Sequence, residues 1–258
     1  MHPILFSFGK ITLYTYGFFI AAAFIAALSY VSYVLKKTKS EILTQDELYN
    51  LFFGLIISGI IGARVFYIFV NFGSFAASPL DIFKVWEGGL VYYGGFITAI
   101  AFFVRFAVKK KKSVLKLTDI FAPALSLAHF FGRIGCFFAG CCYGRECGLP
   151  WAVVFNDPNS LAVKHVHLHP TQLYEAAGNL ALFVFLHFYN KKNHAEGMSL
   201  AFYLTGYSVL RFAVEFFRGD YRGGNYFGLS ISQIISAILF AAGITVIYKV
   251  RKNAGRNS

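Results

Sequence analysis

Seven apolar segments, each near twenty residues long, divide the chain: Ile11 to Leu35, Leu51 to Phe72, Leu90 to Val108, Leu117 to Gly140, Gln172 to Tyr189, Met198 to Phe217, and Leu229 to Tyr248. A helix of that length spans about 30 Å of hydrocarbon. No other feature restricts the fold so strongly, because in lipid every backbone polar group must be satisfied internally, which leaves helices for apolar runs of this length. Composition agrees: 57% of the 258 residues are hydrophobic and only 14% are charged, against about a quarter charged in a soluble domain. A soluble enzyme, a disordered tail and a small disulfide scaffold are thereby excluded. The expectation is an all-α polytopic membrane protein, a single transmembrane domain over residues 1–258.

A net charge of +12 invites a nucleic-acid reading until the charges are placed. Lys36, Lys37 and Lys39 follow segment 1; Lys109 to Lys112 and Lys116 follow segment 3; Lys191 and Lys192 follow segment 5; Lys249, Arg251, Lys252 and Arg256 follow segment 7. All fall on one side. The other side carries Lys10, Lys84, Arg145, Lys164, Arg218 and Arg222. The positive-inside rule therefore puts the C-terminus in the cytoplasm and the N-terminus outside. The lysine run is an anchor at an anionic leaflet, and no nucleic acid is expected as a partner. The N-terminus lacks a basic region and a small-residue cleavage site, so segment 1 reads as a retained helix. Between segments 4 and 5, residues 141–170 contain LPWAVVFNDPN and VKHVHLHP, a pattern of β-branched alternation and turn residues. It predicts a small strand-and-turn cap on the outer, periplasmic face.

Four arginines lie inside the apolar segments: Arg64, Arg105, Arg133 and Arg211. Each costs about 2.5–3.5 kcal/mol at mid-membrane even on lenient scales, so each needs a reason. Arg105 snorkels toward the nearby lysine run. In segment 6, Tyr207, Arg211, Glu215 and Arg218 are spaced 4, 4 and 3 and form one polar stripe. An interhelical salt-bridge ladder accounts for such a stripe, but two arginines against one carboxylate leave positive charge to spare. Segment 4 adds Arg133 between Gly132 and Gly135, with His129 as a hydrogen-bonded core histidine. Segment 2 supplies Gly62-Ala63-Arg64, and the start of segment 5 supplies Gln172, Tyr174 and Glu175. Together they describe an outward-opening cationic pocket suited to a phospholipid headgroup, since guanidinium matches phosphate in a bidentate way. The glycines of WEGGLVYYGGF, residues 86–96, fit either irregular backbone beside a cavity or close helix packing.

Cys136, Cys141, Cys142 and Cys147 are not spaced as CxxC pairs, so no structural zinc site is expected. In an oxidising compartment a disulfide between Cys147 and Cys141 or Cys142 is the favoured state, with Cys136 a small packed residue.

GRIGCFFAGCCYG (132–144), HPTQLYEA (169–176), WEGGLVYYGGF and YSVLRFAVEFFRGD (207–220), with Tyr16-Gly17 and GLSISQ (228–233) at the ends, resemble the bacterial prolipoprotein diacylglyceryl transferase family in order and spacing. The resemblance implies a multi-pass protein of the bacterial inner membrane that performs the first step of lipoprotein maturation. The diacylglyceryl group of phosphatidylglycerol passes to the lipobox cysteine thiol of a prolipoprotein, leaving a thioether and releasing glycerol phosphate. Its partners are thus phosphatidylglycerol, the prolipoprotein signal peptide and membrane lipids, with no cofactor and no metal. It also implies that Arg133 binds the phospholipid, that Arg211 is a second essential arginine with Tyr207 as companion, and that Glu215, Arg218, Tyr16, Arg64, Gly94, Gly95, Gln172 and Glu175 line the substrate site. Two positions depart from the family pattern: Tyr93 stands where many members have histidine before the double glycine, and Cys136 where many have asparagine. Tyrosine is a poor base at neutral pH, so Tyr93 is expected to donate a hydrogen bond to the leaving phosphate. Two other functions remain open to the sequence: a diverged member with another acceptor, and a lipid or anion transporter built on the same cavity.

Overall fold

A computed structural model describes the chain except for residues 10, 39, 40, 78, 85–87, 221–223, 227 and 255–258. Lys10, Lys39, Arg222 and Arg256 of the charge count, and Trp86 and Glu87 of the glycine motif, lie outside the described residues. The fold has the seven long helices the apolar segments require: α1 (Thr15–Lys37), α2 (Gln45–Val70), α4 (Tyr92–Lys109), α5 (Val114–Ala139), α6 (Thr171–Tyr189), α7 (Met198–Glu215) and α8 (Ile231–Ala254), with a short α3 (Phe72–Ala77) after α2. Four of them, α1, α2, α5 and most of α8, are long and apolar enough by length and composition to cross a membrane. Their outward faces are apolar as well: Ile25, Phe53 and Ile57 are more than half exposed and Phe69 is 83% exposed. Large apolar side chains exposed along such helices suit a surface whose solvent is lipid.

The all-α expectation needs one correction. Ile11–Tyr14, assigned to the first apolar segment, is strand β2, paired antiparallel with β1 (Ile4–Phe8). Three of the four residues, Ile11, Thr12 and Tyr14, are β-branched or aromatic, types favoured in strands, and their hydropathy runs unbroken into α1, which hides the boundary. Helix α1 begins at Thr15, whose N–H donates to Pro3 O at 2.9 Å. Two further hairpins follow: β3 (Val153–Val154) with β4 (His167–Leu168), within the 141–170 stretch read as strand and turn, and β5 (Asn225–Tyr226) with β6 (Leu229–Ser230).

The chain divides into two compact units, residues 32–117 and residues 1–31 with 118–258. In the first, α2 opens with a capping box: Thr44 Oγ1 accepts from the Glu47 N–H, and the Thr44 N–H donates back to Glu47, each at 3.2 Å. Glu47 also pairs with Lys110 and Lys112. Helices α2 and α4 approach closely because glycines meet there. A Cβ on Gly94 would lie 2.6 Å from Gly62 O, and one on Gly95 2.7 Å from Gly59 O. The Thr98 hydroxyl donates across this contact to Ser58 O at 2.8 Å. The two halves of the glycine motif thus do different things: Gly94 and Gly95 pack helices, whereas Gly88 and Gly89, at φ +91° and +73°, turn the chain in a way only glycine does without strain.

In the second unit, α5, α6 and α7 interlock. The Ser126 hydroxyl donates to Asn179 O at 2.8 Å, and the Asp119 carboxylate caps α7 by accepting from the Gly197 and Leu200 N–H groups. The residues after α5 then stitch the helix ends together. Gly144 N–H donates to His169 O, Arg145 N–H to Phe217 O, His169 N–H to Arg145 O, and Gly219 N–H to Tyr143 O, all at 2.9–3.1 Å. That lacing holds the end of α5, the start of α6 and the end of α7 at one place.

Candidate functional site

Those three laced ends each carry an ionised side chain inward. Glu175, in the first turn and a half of α6, is completely buried and is met by three arginines. Arg133 Nη2 of α5 lies 2.7 Å from Glu175 Oε2, Arg218 Nη1 3.3 Å from Oε1, and Arg211 Nη1 of α7 3.6 Å from Oε1. Glu215, one turn beyond Arg211, pairs with it at 2.5 Å and accepts the Ser230 hydroxyl at 2.8 Å. Arg218 is held by Asp220 through two bonds, Nε to Oδ1 at 2.8 Å and Nη2 to Oδ2 at 2.6 Å. The Ser232 hydroxyl accepts from Arg211 Nη2 at 2.9 Å.

The network corrects the charge surplus expected from the stripe alone. Three guanidinium groups face three carboxylates, and the two carboxylates the stripe did not count, Glu175 and Asp220, supply the balance. Burial makes this balance necessary, since an uncompensated ion here would cost several kcal/mol. Asp220 escaped assignment although it stands two residues past Arg218 in the quoted motif; only the turn after α7 brings the pair face to face. The arginines are not equally enclosed. Arg211 and Arg218 side chains are 8% and 3% exposed, but Arg133 is 18% exposed and pairs only with Glu175 among the described residues. Arg133 therefore keeps guanidinium donors for an incoming anion.

Around this centre the other expected residues take distinct places. Gln172, one turn before Glu175, donates from Nε2 to Cys141 O at 2.7 Å, and its Oε1 is buried without a partner among the described residues. Tyr207 stacks on Tyr203 and lies 4.9 Å, centroid to centroid, from the His129 ring. His129 itself is bonded through Nδ1 to the Tyr203 hydroxyl at 3.1 Å, the core position expected of it. Tyr16 is exposed and lies beside Gly135, where a Cβ would come within 3.3 Å of its ring. Beside the cap, Leu149, Trp151, His169, Tyr174, Val214 and Phe217 line an apolar groove of about 430 Å³. His169 Nδ1 and the Tyr174 hydroxyl are bonded at 3.1 Å, and Trp151 Nε1 donates to the same hydroxyl at 2.8 Å.

Arg64, Tyr93, Gly94 and Gly95 belong to the other unit. Arg64 is buried and its donors are taken by main-chain carbonyls: Ile82 O from Nε at 3.0 Å, Gly88 O and Gly89 O from Nη1 at 2.8 and 3.2 Å, and Asp81 O from Nη2. Its guanidinium also lies over the rings of Tyr67 and Phe75. Tyr93 is exposed, with its ring edge-on to Tyr92. Arg105 is exposed as well.

The expected disulfide is absent. All four cysteines are thiols, and the grouping differs from the one expected: Cys136, Cys141 and Cys142 come together with sulfur atoms within 4.8 Å of one another, while Cys147 is held by its N–H to His167 O at 2.9 Å. The end of α5 at Gly140, φ +75°, folds the Cys-Cys pair back over Cys136.

Comparison with known proteins covers nearly the whole chain. A family model described as prolipoprotein diacylglyceryl transferase matches residues 3–249. A phosphatidylglycerol–prolipoprotein diacylglyceryl transferase of Clostridium tetani is 38% identical over 246 residues, 95% of this chain and 96% of the relative. A second such transferase, of Clostridium perfringens, is 37% identical over 95% and 93%. One of Photorhabdus laumondii is 33% identical over 98% and 94%.

Proposed function

The chain belongs to the prolipoprotein diacylglyceryl transferase family, and we propose that its buried arginine network is where phosphatidylglycerol is held while its diacylglyceryl group passes to the lipobox cysteine thiol of a prolipoprotein. The enzyme is a transferase, and the bond changes are fixed by the reaction. The sulfur attacks the glyceryl carbon that carries the phosphate, the carbon–oxygen bond breaks, a thioether forms, and glycerol phosphate leaves with the electron pair. The thiol proton goes to solvent or to a nearby base. A cysteine thiol is already a few per cent thiolate at neutral pH and is a strong nucleophile. The demands on the protein are therefore alignment and stabilisation of charge on the departing phosphate.

The observation that carries this reading is the pairing of Arg133 with Glu175. Arg133 is the least enclosed of the three arginines, and its one carboxylate partner is shared with Arg211 and Arg218. A phosphate can take Arg133 in bidentate fashion while Glu175 stays compensated by the other two. Phosphate binding then costs no unpaired buried charge. Arg211 contributes its field at the leaving oxygens, held in place by Glu215 and Ser232. The buried Gln172 Oε1 accepts a headgroup hydroxyl, and the apolar groove beside Trp151 and Phe217 takes hydrocarbon. This reading takes seven spans with the N-terminus outside, and with them a site toward the outer leaflet of the bacterial inner membrane, under the 141–170 cap, where prolipoproteins emerge.

The test uses purified protein in detergent with phosphatidylglycerol and a lipobox peptide, following glycerol phosphate release and peptide mass. The expected result is a mass gain of one diacylglyceryl group, lost with Arg133→Ala. Phosphatidylglycerol bound without any gain in peptide mass would overturn the lipobox acceptor, and Arg133→Ala at near-normal rate would overturn the site.

A further inference from the structure

The transfer mechanism makes no use of the three-thiol cluster at the end of α5, although its geometry is that of a ligand set. The Sγ atoms of Cys136, Cys141 and Cys142 lie within 4.8 Å of one another. A cation bound to three thiolates at about 2.3 Å holds them about 4 Å apart, so small side-chain rotations close the site. A disulfide would use two of the sulfurs and strand the third. Two arginines stand near these sulfurs. Arg133 is one helical turn before Cys136 and therefore on the same face, and Arg218 reaches the Cys142 sulfur as a hydrogen-bond partner.

We propose that Cys136, Cys141 and Cys142 form a three-thiolate binding site for a soft closed-shell cation, Zn²⁺ or Cu⁺. Sulfur ligands select such ions. The ligands are thiolates, so binding releases the thiol protons. The site also has a structural consequence. Cys141 O accepts Gln172 Nε2 and Cys142 O accepts the Thr171 hydroxyl, both at 2.7 Å. The Cys-Cys turn thus anchors the first turn of α6, three residues before Glu175. A bound cation ties that turn to α5 and fixes the carboxylate against Arg133.

The experiment uses the reduced, full-length protein in detergent, with no lipid or peptide present, so its failure leaves the transferase reading untouched. Cd²⁺ is the optical probe through its thiolate charge-transfer band, displaced in turn by Zn²⁺ and by Cu⁺ under anaerobic conditions to tell the two ions apart. The expected result is one equivalent per chain, a raised melting temperature, and a loss in affinity of about 100-fold or more in Cys136→Ser and Cys141→Ser, with Cys147→Ser unchanged. One equivalent of cation should protect three of the four wild-type thiols from alkylation and leave Cys147 reactive, a readout that needs no variant. Absence of binding to the reduced protein, binding that survives Cys136→Ser, protection of Cys147, or a native disulfide among the three would each overturn the site.

Discussion

Arg64 and Arg133 look alike in sequence, each an arginine set beside small residues in an apolar helix, yet the two units treat them in opposite ways. Arg64 is enclosed by four main-chain carbonyls from residues 81–89 and two aromatic rings. Arg133 faces a carboxylate that two other arginines also claim. Carbonyls around a guanidinium are part of the backbone and cannot leave without unfolding the loop that supplies them, so Arg64 organises structure. A carboxylate is an anion, and another anion can take its place, so Arg133 is able to exchange partners. The difference between Arg64 and the arginine proposed to bind phosphate thus lies in what surrounds each of them.

The largest effect expected is on transfer. Arg133→Ala should lower the rate about 100- to 1,000-fold while leaving the helices folded, as expected for loss of one preorganised donor at a developing anion. Arg133→Lys should recover little, since an ammonium lacks the bidentate fork. Peptide-mass assays read both, and recovery by lysine would break the phosphate-fork argument.

Glu175→Ala should cost stability more than any other single change in the network, about 3–5 kcal/mol, because it strands Arg133 and leaves three buried guanidinium groups against two carboxylates. Denaturant titration in detergent measures it. A wild-type midpoint would mean that water enters and screens the site, and that the balance of charges is not what holds it.

Arg64→Ala should destabilise by about 2–4 kcal/mol through the carbonyls it leaves unsatisfied, with little change in phosphatidylglycerol affinity among the molecules that remain folded. A tenfold weaker phospholipid affinity at undiminished stability would return Arg64 to the substrate site and erase the contrast between the two arginines.

A smaller effect concerns pH. Burial and then the positive charge of Arg145 hold His169 below the ordinary histidine range. Its folded form therefore prefers the neutral ring. Stability from this group is intact above the unfolded pKa of about 6.5 and is lost as pH falls through the lower folded value. Melting temperature should decline over that acid window, and His169→Gln should flatten the decline. An unchanged slope would assign it to other groups.

The smallest change expected is in Tyr93→His. Adding a histidine where many relatives carry one should alter the rate less than about tenfold and introduce a titration near neutral pH in the rate profile. A profile without that inflection would show that position 93 does not handle the proton.

Much of the architecture was legible because lipid leaves few choices. Runs of about twenty apolar residues fixed the seven long helices, and the stripe Tyr207, Arg211, Glu215, Arg218 follows from helical spacing alone. The N-terminal hairpin was not legible, because Ile11 to Tyr14 is as apolar as the helix it leads into. Nor was the cysteine grouping: spacing favoured Cys147, whereas the turn at Gly140 folds Cys141 and Cys142 back onto Cys136.

What the amino-acid sequence by itself determined is therefore the set of long apolar helices and the fact that several arginines need partners. The tertiary structure alone decided which partners they have. Glu175 is 42 residues from Arg133 and 43 from Arg218 along the chain, and Asp220 turns back onto Arg218 only after α7 has ended. Hydropathy acts through each residue's own side chain and can be read one position at a time. Compensation of a buried charge depends on distance in space, which exists only after the helix ends have been laced together.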